Sequence, residues 1–83
     1  KTGGSTFKNP IEQTNIKVWE LIKKSVPLES KFGDAKISNK HCNFFVNSGE
    51  ATFNDMKKLI EFVRKNVRSK TGIKLETEIE IIE

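Results

Sequence analysis

The sequence predicts a small α+β domain, two helices packed on one side of a sheet, and three observations carry that expectation. Two segments, residues 15–25 and 52–67, repeat apolar side chains at three- and four-residue spacing. Residues 73–82 alternate with the two-residue period of a strand. Between the helical segments lies Phe44-Phe45-Val46, an apolar run too short for a helix and suited to a buried strand. A strand-like start, a helix, two strands, a helix and a strand make the order of a layered α+β fold.

The first element is GGSTFKNP, residues 3–10. One reading is a turn followed by a short strand that Pro10 terminates. The other has Gly3 and Gly4 bring the backbone close to a ligand, with Ser5 held at its reactive atom. A helix over residues 15–25 follows, with Ile16, Val18, Trp19, Leu21 and Ile22 on one face and Glu20, Lys23 and Lys24 mostly outside it. Pro27 ends it. Residues 29–34 are polar, contain Gly33 and read as a loop.

Residues 35–38 and 43–47 read as strands joined by the polar connection Asn39-Lys40-His41-Cys42, and Ser48-Gly49 makes a turn. Thr52 with Asp55 three residues on forms a capping box for the second helix. Met56, Leu59, Ile60, Val63 and Val67 mark its buried stripe, and Gly72 is placed to end it in a left-handed turn. In the final strand Ile73, Leu75, Thr77, Ile79 and Ile81 share one side, and Glu76, Glu78 and Glu80 share the other.

With 83 residues, 35% hydrophobic and 31% charged, the chain has material for one modest core, and a single domain over residues 1–83 is expected. No apolar run approaches the roughly 18 residues of a membrane span, and no secretory leader pattern is present, so no membrane partner is expected. One cysteine rules out an internal disulfide framework and suits a reducing compartment. With one histidine beside it, a structural zinc site is not expected. The net charge of +4 is spread along the chain, a balance that suits a phosphorylated small molecule as well as nucleic acid. The abrupt start at Lys1-Thr2-Gly3 reads as the tail of something longer.

Four residues are candidates for chemistry. Ser5 lacks a base nearby in sequence, which argues against a nucleophile and leaves a proton donor or a hydrogen-bond donor to substrate. His41 lies in a polar connection, where a histidine is ordinarily a satisfied surface residue. Cys42 reads as packing rather than a reactive thiol. Glu78 has a carboxylate on each side of it on one strand face, facing either water or a cleft. A competing function is a stand-alone basic α+β module binding RNA or a protein partner. Against RNA, the chain has no GxxG loop, and Phe44-Phe45 reads as core rather than as an exposed stacking platform.

Three blocks, GGSTFKNP, GDAKISNKHCNFFVN and LETEIEIIE, together resemble the C-terminal domain of the UDP-N-acetylenolpyruvoylglucosamine reductase (MurB) family, in its shorter type II form. The resemblance runs the whole length of the chain. It implies a bacterial, cytoplasmic flavoenzyme of peptidoglycan precursor synthesis, in which NADPH reduces a bound FAD. The reduced flavin passes a hydride to the enolpyruvyl group of UDP-N-acetylglucosamine enolpyruvate, and protonation gives UDP-N-acetylmuramate. By that resemblance Ser5 is the proton donor, and Glu78 assists at the same carbon or stabilises the intermediate. Asn9 hydrogen-bonds the diphosphate, with Lys8 beside it on the opposite strand face and His41 near the uridine end.

The loop at Val26-Pro27-Leu28-Glu29 and Phe32-Gly33-Asp34-Ala35 departs from the family's Leu-Lys-Gly and Ile-Gly-Gly-Ala pattern. The resemblance also implies N-terminal FAD-binding domains and a stabilising arginine that precede this segment. By itself the chain is then expected to be inactive and to hold no FAD, and no nucleic-acid partner is expected.

Overall fold

The computed structural model describes residues 5–78. Gly3 and Gly4, and the predicted strand beyond Glu78, lie outside the described residues. The elements are α1 (Val18–Ser25), β1 (Lys31–Phe32), β2 (Ala35–Ile37), β3 (Phe45–Asn47) and α2 (Phe53–Thr71). The strands form one antiparallel sheet in the order β1-β2-β3, with Phe32 opposite Ala35 and Ile37 opposite Phe45. α2 packs on β1 and β2, and α1 packs on α2, as an α+β layering requires.

The two ends of the described chain meet separately. Phe7 bridges Thr77 in antiparallel sense, flanked by Lys8 N–H to the Glu76 carbonyl and Glu78 N–H to the Thr6 carbonyl, both 2.8 Å. We call this pair of segments the terminal ribbon. Burial along its second segment alternates as predicted, with Leu75 in the core and Lys74, Glu76 and Glu78 exposed. The core joins Val18, Leu21 and Ile22 of α1 to Leu59, Ile60, Val63 and Val67 of α2, over Ala35, Ile37 and Phe45 of the sheet. Phe7 closes it from the ribbon, edge-on to Phe45 with centroids 5.9 Å apart.

α2 has the ends the sequence announces. Asp55 N–H donates to Thr52 Oγ1 and Thr52 N–H to Asp55 Oδ2, each at 3.0 Å, and Gly72 caps the other end at φ 77°.

Three expectations are corrected. The first helix begins at Val18, not at residue 15, because the preceding chain is folded back in a turn. Gln13 and Thr14 both donate their N–H to the Pro10 carbonyl, and Ile16 N–H goes to Thr14 Oγ1. Its buried face is Val18, Leu21, Ile22 and Ser25, whereas Trp19, one step of about 100° around the helix, is 50% exposed. The supposed loop at 29–34 contains β1, which hairpins onto β2 through Gly33 at φ 58°. Phe32 is held there against Phe62, with ring centroids 5.5 Å apart.

Candidate functional site

The ribbon sets the position of Ser5. Thr6 and Phe7 are tied on one edge to residues 76–78 and on the other to Asn43, so the residue just before them has little freedom. Thr6 itself is fully buried, while Ser5 is half-buried and lines a cleft of about 600 Å³. Asn9 lies two pleats further along the same segment and lines the same cleft. Its Oδ1 accepts the Val18 N–H at 2.9 Å, which supplies the cap that Lys17, at the N-cap position, does not provide. No described group takes the Asn9 Nδ2 donor.

Residues 38–44, the β2–β3 connection, form the facing wall. It is braced from within: Ser38 N–H bonds the Phe44 carbonyl, and Ser38 Oγ accepts the N–H groups of Lys40 and His41. His41 is exposed and its ring lies tilted against Phe44, centroids 5.2 Å apart. Phe44 is therefore half-buried at the cleft, not in the core, which corrects the reading of Phe44-Phe45 as one buried pair. Phe45 alone faces inward. Cys42 is in the core, with its S–H on the Trp19 carbonyl at 3.0 Å. Burial pushes its thiol up from its ordinary value, so it stays a neutral packing group.

Charge distinguishes this cleft. Lys17, Lys23 and Lys40 line it, and among the described residues no carboxylate does. A concave surface with cations of one sign and neutral amide and hydroxyl donors between them suits a dianionic ligand. Among the described residues no hydrogen bond joins Ser5 to His41, so the two do not form a nucleophile–base pair here.

A family model described as "UDP-N-acetylenolpyruvoylglucosamine reductase, C-terminal domain" matches residues 1–82. The chain belongs to that family. Among relatives named UDP-N-acetylenolpyruvoylglucosamine reductase, the protein of Pelagibacter ubique is 70% identical over 99% of this chain, and that of Orientia tsutsugamushi 48% over 99%. The protein of Thermotoga petrophila is 49% identical over 96% of the chain. These matches cover 27%, 26% and 28% of the respective relatives, so the chain spans about a quarter of their length.

Within this member of the family, the structure brings Ser5, Asn9 and His41 to one cleft and leaves two candidates outside it. Lys8 is exposed in a smaller groove of about 350 Å³ beside Pro10, Gln13, Lys74 and Glu76. Glu78 reaches the Ser5 segment through its backbone bond to Thr6, but its side chain is exposed and does not line the cleft. Sequence reading missed Lys17, Lys23 and Asn43. Lys17 and Lys23 follow no helical period, since one precedes α1 and the other is on its flank. Only the adjacency of Lys40 to His41 offered a signal.

Proposed function

We propose that this chain is the substrate-binding, C-terminal domain of a longer reductase that converts UDP-N-acetylglucosamine enolpyruvate to UDP-N-acetylmuramate. Besides its family, the observation that carries the proposal is the lysine-lined cleft shared by Ser5, Asn9 and His41, free of carboxylates among its lining residues. The diphosphate lies against the Asn9 Nδ2 donor and the lysines, and His41 stands toward the uridine end.

Ser5 is the proton donor. When the enolpyruvyl double bond is reduced, one of its carbons becomes electron-rich. The Ser5 hydroxyl gives that carbon its proton, and the oxygen regains one from solvent. The neighbouring cations favour the transient negative charge on the serine oxygen. Glu78 supports the Ser5 segment through its backbone bond to Thr6, since its side chain does not line the cleft. Lys8 has no part in this reading, because it lines another groove.

The FAD and NADPH that the family implies belong to the rest of the longer protein. The cleft lining sets three lysines and the Asn9, Asn39 and Asn43 amides beside Trp19 and Phe44, a donor set that suits the phosphorylated substrate. On this reading the whole protein works in the bacterial cytoplasm, where its nucleotide substrate is made. The family match, over residues 1–82, gives the RNA-binding reading no support.

The test is Ser5→Ala in the complete gene product, followed by rapid mixing. Flavin reduction by NADPH should be nearly unchanged, while reoxidation by the enolpyruvyl substrate slows by about 100-fold or more. Unslowed reoxidation overturns the proton-donor role.

A further inference from the structure

One residue of the β2–β3 connection holds the Ser5 segment by more hydrogen bonds than any other described residue. Asn43 makes three hydrogen bonds to two consecutive residues of that segment. Its carbonyl accepts the Thr6 N–H at 2.7 Å, its Oδ1 accepts the Phe7 N–H at 3.0 Å, and its Nδ2 donates to the Phe7 carbonyl at 3.0 Å. A primary amide presents a donor and an acceptor along one edge, as a strand residue does with its own N–H and C=O, so the Asn43 side chain stands in for a neighbouring strand. On the other edge the Thr6 carbonyl takes the Glu78 N–H. The backbone immediately after Ser5 is thus fixed from both sides.

The geometry gives this clamp a second property. Asn43 belongs to the same wall as His41, and both it and Ser5 line the cleft. The three bonds of Asn43, two of them from its side chain, tie the Ser5 wall to the His41 wall through a stretch where, among the described residues, no regular sheet ladder joins them.

We propose that Asn43 is a positioning residue for the proton-transfer step, setting where the Ser5 hydroxyl sits over the substrate. This rests on the reading of Ser5 as proton donor. A displacement of the order of 1 Å at a reacting group costs about 100-fold in rate, so loss of two of the three bonds is enough to be measured. Asn43→Ala removes both side-chain bonds and keeps the backbone bond to Thr6. Asn43→Asp keeps an acceptor for the Phe7 N–H but loses the donor to the Phe7 carbonyl.

The experiment uses the complete gene product and measures the two half-reactions separately, in water and in deuterium oxide. Asn43→Ala should leave flavin reduction by NADPH nearly unchanged and slow reoxidation at saturating substrate by about 100-fold, with an increased solvent isotope effect. Asn43→Asp should fall between Ala and the parent, and it carries the test if the Ala variant does not fold. In a Ser5→Ala background, Asn43→Ala should cause little further loss, since the group it positions is gone.

A purely structural role would instead slow both half-reactions together, leave the isotope effect unchanged and add fully to Ser5→Ala. That pattern, or reoxidation at the parent rate in Asn43→Ala and Asn43→Asp, overturns the inference. If Ser5→Ala alone leaves reoxidation intact, the proton-donor reading itself has failed, a result separable from failure at Asn43.

Discussion

Asn9 caps a helix that begins nine residues further along: its Oδ1 accepts the Val18 N–H at 2.9 Å. Its amide therefore divides into a structural half and a half available to the cleft. Asn9→Ala should lose both, lowering stability by about 1 kcal/mol through the missing cap. Asn9→Asp caps as well as Asn, but it puts a carboxylate where the diphosphate is proposed to lie. It should unfold in urea with the parent midpoint and bind UDP-N-acetylglucosamine about tenfold or more weakly. Parent-like binding by the Asp variant would place the diphosphate elsewhere.

Gly33 is pressed against Asp55, and a β-carbon built on it would stand 2.4 Å from Asp55 Oδ2. That oxygen already accepts the Thr52 N–H, so moving it away opens the capping box of α2. Gly33 also has φ 58°, whereas Gly72 has φ 77° with open space around it. Gly72→Ala should cost about 1 kcal/mol, the backbone strain alone, and Gly33→Ala about 2 to 3 kcal/mol. In an Asp55→Ala background the Gly33→Ala cost should fall to that of Gly72→Ala. Equal costs in both backgrounds would show that the hairpin does not lean on the capping box.

The parts of this fold legible in the sequence are those fixed by local chemistry. Thr52, Asp55 and Gly72 define the ends of α2 by hydrogen bonds within a few residues, and Leu59, Ile60, Val63 and Val67 define its buried face by period alone. α1 was misjudged because its cap, Asn9, is outside the helix, and because Trp19 looks apolar in sequence while standing half in solvent at the cleft. β1 was hidden since two residues, Lys31 and Phe32, cannot show an alternation.

The candidate site divides in the same way. Ser5, Asn9 and His41 were recoverable from motif resemblance, and they share a cleft. Lys17, Lys23 and Asn43 reach it only because α1, the ribbon and the β2–β3 connection converge there, and convergence leaves no periodic mark in a sequence. Asn43 in particular reads as an ordinary polar residue at a strand start, and its clamp on Phe7 spans 36 positions.

Ser25 ends α1 with its hydroxyl buried and, among the described residues, without a hydrogen-bond partner. A desolvated hydroxyl without a partner is costly, and alanine is also the better helix former. Ser25→Ala should raise the unfolding free energy by about 1 kcal/mol in urea titrations. A loss of stability instead would mean that the hydroxyl is paired in solution.

Cys42 links α1 to the cleft wall through its bond to the Trp19 carbonyl, and it gives stability a pH dependence. Burial raises its thiol pKa, opposed more weakly by its own backbone hydrogen bond and by the Lys23 charge. The folded chain thus holds the thiol proton more tightly than the unfolded chain does. This contribution is fully present below the unfolded thiol value of about 8.5 and is lost as pH rises through the higher folded value. Cys42→Ala removes the titrating group, at the cost of some packing that does not vary with pH. Above about pH 8.5 the parent should therefore lose unfolding free energy with pH more steeply than Cys42→Ala. Parallel curves for the two proteins through that range would show that the fold does not favour the protonated thiol.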